Sequence, residues 1–179
     1  MSGRTSPVTG VTIRPAREED VPLILQFVRE LAEYEHLLHE VVATEEKLRK
    51  DLFGPRPYAE VVFACLDGEP LGFALFFHNY STFLGRPGIY LEDLFVRPSV
   101  RGKGLGQALL CWLAAEALRR ECGRLEWSVL NWNEPSIQFY KNLGAKPMDE
   151  WGIYRLTGEA LRNVAEKAAG PQAVIKSLA

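Results

Sequence analysis

Cysteine, methionine and histidine are scarce in this chain of 179 residues, at three, two and three copies. The cysteines, Cys65, Cys111 and Cys122, are odd in number and no two have Cys-x-x-Cys spacing. A disulfide framework and a cysteine-held metal are therefore not expected, and reduced thiols in a cytoplasmic protein are. Excess positive charge is also missing. The 21 Lys and Arg against 23 Asp and Glu leave a formal net charge of −2, which supplies no field for a polyanion and disfavours nucleic acid as a partner. The longest apolar runs, Leu71–Phe77 and Ala108–Ala115, fall far short of the roughly 20 residues that span a bilayer. The polar residues 1–10 lack the apolar core of a secretory signal. A soluble protein without membrane contact is expected.

What is present is ordinary for a globule: 47% apolar and 25% charged residues. At about 150 residues per domain, the length predicts one domain over 11–169, a flexible N-terminal segment over 1–10 and a C-terminal tail over 170–179. Val11 to Arg14 alternate as a short strand. Val21, Ile24, Leu25, Val28, Leu31 and Ala32 recur at helical steps behind an acidic start, Glu18 to Asp20 with Pro22. Thr44 with Glu45 and Glu46 opens a second helix, stopped at Gly54-Pro55. Residues 59–66 and 71–79 read as strands joined by an Asp67-Gly68 hairpin turn, 80–88 as a loop, and 89–96 as a third strand. A helix over 108–121 whose apolar face includes Cys111, a strand over 124–130, an Asn133-capped helix to Leu143, a last strand over 151–157 and a peripheral helix over 158–169 complete the order. A hairpin followed by a crossover predicts a mixed sheet flanked by helices.

Three segments are chemically conspicuous. Arg101-Gly-Lys-Gly-Leu-Gly106 joins a strand to a helix, where glycines turn backbone N–H groups toward a ligand and the helix end adds positive character. A diphosphate suits it, and a plain glycine-capped loop is the competing reading. The Walker A spacing fails because its first glycine falls on Arg97. The dinucleotide fingerprint fails because the glycines run Gly-x-Gly-x-Gly, although Glu126 lies where a ribose-binding acid would. Glu92-Asp93 interrupts an apolar strand. Alternation predicts that the two carboxylates face opposite sides, so one must meet a partner, serve as a general base or bind a cation. Finally, Tyr140 lies two helical turns beyond Asn133, and its hydroxyl can protonate a leaving anion or can simply pack in a core. His36 and His39, at i, i+3 spacing beside Glu35 and Glu40, read as a solvated helix face, and no metal is expected.

Phe95-Val96 followed by Arg101-x-x-Gly104-x-Gly106 and a helix resembles the acetyl-CoA signature of the GCN5-related N-acetyltransferase (GNAT) superfamily. Tyr-Leu-Glu-Asp-x-Phe-Val at 90–96, Trp-Asn-Glu-Pro-Ser-Ile-x-Phe-Tyr-Lys at 132–141, Gly144-Ala145 and Glu30-Leu-Ala-x-Tyr-Glu35 resemble its spermidine/spermine (diamine) and thialysine group. The likeness spans roughly 11–160. It implies a GNAT-like α/β (α+β) fold with a mixed, mostly antiparallel central sheet, acetyl-CoA as co-substrate, and a homodimer. Of the residues, Leu94, Phe95 and Val96 would bind the acetyl and pantetheine portion. Arg101, Gly102, Lys103, Gly104, Leu105, Gly106 and Gln107 would cradle the diphosphate. Asn133, Glu134, Pro135 and Ser136 would touch the pantetheine arm. Tyr140 would be the general acid on the departing thiolate, and Glu92 would take the amine's proton directly or through water. Tyr34, Glu35, Glu92, Glu126, Trp127 and Ser128 would line the amine site, with Glu150 a looser match. Where the polyamine enzymes carry Asp-Pro-Trp, this chain has Ser81-Thr82-Phe83 and one extra residue before Ile89. Asn79-Tyr-Ser-Thr82 resembles the thialysine branch, which implies lysine-like or short diamine substrates ahead of spermidine.

The expected activity is acetyl transfer from acetyl-CoA to a primary amine by direct attack. The acids suit a cationic amine, and neither a cysteine nucleophile nor a metal is required. The alternatives are a noncatalytic acyl-CoA-binding or sensing module and, from the glycine loop alone, a dinucleotide-binding protein.

Overall fold

Five strands make one sheet in the order β1-β2-β3-β4-β5: β1 (Val11–Pro15), β2 (Glu60–Leu66), β3 (Glu69–Ser81), β4 (Arg86–Val96) and β5 (Leu125–Trp127). The first four pair antiparallel and β5 pairs parallel to β4, so the sheet is mixed and mostly antiparallel. It belongs to the first of two compact units, Met1–Leu130 and Asn131–Ala179. The computed structural model describes residues 10–168. The segment expected over 1–10, its last residue apart, and the tail expected over 170–179 lie outside the described residues.

The β2–β3 connection is the two-residue turn expected from Asp67-Gly68, and both residues have positive φ, +50° and +85°. That backbone twist matches the strands on either side. In contrast, the loop expected over 80–88 is mostly ladder: Tyr80 pairs with Pro87 and Ser81 with Arg86, leaving 82–85 as the turn. Its Gly and Pro content reads as a loop, yet backbone pairing at the outer end of a hairpin demands no apolar pattern.

Each face of the sheet is covered by helix. Helix α1 (Val21–Tyr34), with Pro22 in its first turn, and α2 (Glu45–Phe53), capped by Thr44 Oγ1 accepting from Lys47 N–H, lie on one side. There Ile24, Phe27, Leu52, Val61, Phe63, Cys65, Phe73 and Phe95 form a buried cluster, with the Phe27 ring stacked on Phe73 at 5.3 Å. Helix α3 (Leu105–Arg119) crosses the other side. Of its buried residues, Leu105, Leu109, Leu113 and Ala117 repeat every fourth position with Leu110 beside them, and Trp112 packs edge-on against Phe76 at 5.9 Å. Cys111, expected in the core, is exposed. Six residues past Leu105 it has rotated to the far side of this stripe. Helix α1 ends at Tyr34, and His36, at φ +61°, is outside it, so His36 and His39 do not share a helix face.

In the second unit, α4 (Glu134–Asn142) has the expected Asn133 cap, whose Oδ1 accepts from Ser136 N–H at 3.4 Å, and Pro135 in its first turn. Helix α5 (Gly158–Ala168) follows. The strand expected over 151–157 is not formed, and Trp151, Ile153 and Tyr154 are exposed. Alternating apolar residues confer strand propensity, but a strand exists only where a partner supplies its hydrogen bonds, and no ladder reaches this segment among the described residues.

Candidate functional site

The ladder between β3 and β4 contains one extra residue. Leu91 pairs with Phe76 and Asp93 with Leu75, so Glu92 has no opposite number. A β-bulge of this kind resets the alternation of side chains beyond it. Before it, Tyr90 pairs with Phe77; after it, Asp93 and Phe95 pair with Leu75 and Phe73, on the same α1 side. The regular alternation assumed for this strand therefore fails across the bulge: Leu91 and Asp93, two residues apart, lie on opposite sides of the sheet. Glu92 is exposed and Asp93 half-buried. Burial first, and then the charges of Glu92 and Glu35, push the Asp93 carboxyl up to about 7. Burial also raises Glu35, the residue that ends α1. Glu92 and Glu35 are thus close enough to oppose the ionisation of Asp93. Asp93 carries a raised pKa, and its adjacency to Glu92 was the only sequence signal for it.

The same bulge ends a second pairing. Strand β5 accompanies β4 only over Ile89, Tyr90 and Leu91. Beyond it Leu94, Phe95 and Val96 pair with Ala74, Phe73 and Gly72 of β3, while no strand pairs with their other edge among the described residues. An extended molecule carrying amides can hydrogen-bond to such an edge as an added strand does.

Past β4 the chain runs through a short 3-10 turn (Pro98–Val100) into Arg101 to Gly104 and α3. Gly102 and Gly104 have φ of +76° and +82°, and a Cβ on Gly102 would meet nothing within 4 Å. The left-handed backbone is what requires glycine here. The first bond within α3 is Ala108 N–H to the Gly104 carbonyl at 2.9 Å, so the amides of Leu105 and Gly106 point out of the helix end, with Lys103 exposed beside them. The donor set and the open space fit a diphosphate. The Arg101 side chain turns the other way. Its Nε donates to the Val96 carbonyl at 3.0 Å and its guanidinium lies 4.4 Å from the centre of the Tyr34 ring.

Of the remaining predicted residues, Tyr34 packs against Phe95 at 6.4 Å between ring centres. Glu126, in β5, accepts from Asn79 Nδ2 and pairs with Arg124 Nε, both at 2.8 Å, so its charge is already answered. Trp127 is half-buried, and the Ser128 hydroxyl meets the Tyr90 hydroxyl at 2.7 Å. The second unit holds the rest. Asn133 is buried as the α4 cap, Tyr140 is half-buried on α4 with its ring 5.4 Å from Phe139, and Glu134, Pro135 and Glu150 are exposed. Among the described residues no group of three His, Cys, Asp or Glu side chains is placed to hold a metal ion.

Known proteins share this arrangement. An integron cassette protein from V. cholerae superposes with a TM-score of 0.75 at 28% identity, covering 88% of this chain and 99% of its own. Thialysine N-epsilon-acetyltransferase of Bos taurus is 42% identical over 170 residues, 88% of this chain and 98% of the relative. L-ornithine N5-acetyltransferase of Arabidopsis thaliana is 34% identical over 197 aligned positions, 85% of this chain and 86% of the relative. The sequence profile of the Acetyltransferase (GNAT) family matches residues 25–145. With the mixed sheet, the splayed fourth strand and the glycine loop in place, the chain is an acetyltransferase and belongs to the GNAT family.

Proposed function

We propose that the protein moves the acetyl group of acetyl-CoA to the terminal amine of a small lysine-like amino acid or short diamine. The opening of β4 at its bulge, leading straight into the glycine loop, carries this reading. The free edge of Leu94 to Val96 offers backbone groups to the pantetheine amides. Arg101 to Gln107 receive the diphosphate. Asn133 to Ser136 and Tyr140 are assigned to the cofactor arm by their resemblance to the family.

The amine arrives as a cation, drawn by Glu35, Glu92 and Asp93. Its proton passes directly or through water to the Glu92–Asp93 pair. Asp93, which titrates near neutrality, has the affinity a base needs at physiological pH. The freed lone pair forms a C–N bond to the thioester carbonyl carbon and the C–S bond breaks. The thiolate takes a proton from Tyr140, which is replenished by the second proton leaving the former amine nitrogen. Tyr34, Glu126, Trp127, Ser128 and Glu150 line the amine site on this reading. Relatives named for thialysine and ornithine, together with Asn79 to Thr82, favour amino-acid amines over polyamines. We place the enzyme in the cytoplasm as a homodimer, with acetyl-CoA and the amine as its partners and no role for nucleic acid or membrane.

Calorimetry with acetyl-CoA and free-thiol release with thialysine, ornithine, lysine, putrescine and spermidine test this. Binding is expected, with the two amino acids named first turned over faster than spermidine. Tyr140→Phe should lower turnover by about 10- to 1,000-fold while acetyl-CoA binding persists. Binding without turnover of any amine would establish a noncatalytic module instead. An absence of binding at millimolar acetyl-CoA, or a melting temperature raised by NAD rather than CoA, overturns the proposal.

A further inference from the structure

The segment between β4 and α3 is fastened to α1 by two arginines lying on two aromatic rings seven residues apart. Arg97 is the inner one. Its guanidinium sits 4.8 Å from the centre of the Phe27 ring and makes two hydrogen bonds of 2.9 Å to Glu30, which hold Glu30 below the usual carboxylate range. Arg101 is the outer one and is exposed. It lies 4.4 Å from the Tyr34 ring centre and 5.7 Å from that of Phe95, with Nε bonded to the Val96 carbonyl. Phe27, Glu30 and Tyr34 follow helical spacing, so a single stripe of α1 receives both cations.

The two contacts differ in what they leave over. Arg97 spends one edge of its guanidinium, Nε and Nη2, on a carboxylate. Arg101 spends one face on an aromatic ring and one of its five N–H groups on a carbonyl. A planar guanidinium can stack on a ring and bind a phosphate in its plane at the same time, which an ammonium cannot.

We propose that Arg101 is a positioning residue that couples the diphosphate loop to the amine end of the site, by clamping Tyr34, and with it Glu35, at the C-terminus of α1. A diphosphate seated on the loop that Arg101 opens would fix the clamp, so cofactor binding orders the side of the pocket that receives the amine. This rests on the function proposed above.

The test is a double-mutant cycle on Arg101→Lys and Tyr34→Leu, reading the KM for thialysine and, by calorimetry, the Kd for acetyl-CoA. Each single substitution should raise the amine KM by about 3- to 10-fold, the range expected of a lost stacked cation. The double variant should be no worse than Tyr34→Leu alone, because the two residues act through one contact. The amine KM is read at saturating acetyl-CoA, because Arg101→Lys, in the loop assigned to the diphosphate, is also expected to raise the acetyl-CoA Kd. Thermal melts of each variant separate misfolding from misplacement, and Arg101→Gln supplies a second reading if the lysine variant melts early. If the fold-changes in KM multiply, or if Arg101→Lys leaves the amine KM at the wild-type value, the coupling is refuted. Failure of the wild-type protein to bind acetyl-CoA would instead strike the function itself.

Discussion

The two halves of β4 are one strand doing two different things. From Ile89 to Leu91 it is paired on both sides, to β3 and β5, and Ile89 and Leu91 are 0% and 1% exposed. From Glu92 to Val96 it is paired on one side, carries two acids and ends beside a glycine loop. The first half is paired along both edges, with Ile89 and Leu91 sealed in the core and Tyr90 half-buried between them. The second leaves backbone groups unspent and holds a carboxylate near pKa 7. One inserted residue divides them. Perturbed titration and an open edge coincide beside the same break in pairing, and burial there keeps Asp93 from full hydration.

Substitutions on the two sides of Glu92 should separate function from stability. The largest effect is expected from Glu92→Gln combined with Asp93→Asn. It should lower kcat/KM by about 100- to 10,000-fold, the usual range for lost acid–base help, with acetyl-CoA affinity by calorimetry nearly unchanged. Comparable losses from Leu91→Ala would erase the distinction between the halves. That substitution should instead cost about 2–5 kcal/mol of stability in urea denaturation, as truncation of a fully buried leucine does.

A smaller effect sharpens the contrast through pH. Asp93 holds its proton more tightly in the folded protein than an unfolded Asp does, so between about pH 4 and pH 7 the native state binds the extra proton and stability falls as pH rises. Asp93→Asn should remove this slope. It should match wild type near pH 4 and exceed it at pH 8 by on the order of 2 kcal/mol. A wild-type stability curve that is flat or rises across this window, with Asp93→Asn parallel to it, would contradict the burial and charge assigned to Asp93.

Much of the fold was legible because the signals were local. Asp67-Gly68 announces a hairpin, since few other pairs tolerate two positive φ values. Thr44 and Asn133 announce helix starts, and the glycines at 102 and 104 announce a backbone that turns its amides outward. The bulge was not legible. It carries no glycine, and strict alternation sent Leu91 and Asp93 to the same face. Residues 151–157 misled for the converse reason, since their side chains favour a strand whose partner no local pattern specifies. The site was readable by residue type, while the burial that raises Asp93, and the Arg101–Tyr34 stack, depended on register and on helix phase.

Arithmetic on chain length closes the matter. Replacing Glu92 changes which group stands at the open edge, but the opening itself follows from counting: ten residues of β4, Arg86 to Phe95, lie opposite nine of β3, Phe73 to Ser81, and cannot stay in step when one is surplus. Excising that residue would restore the step, allow the fourth strand to lie flush along the fifth, and shut the opening without altering any chemical group.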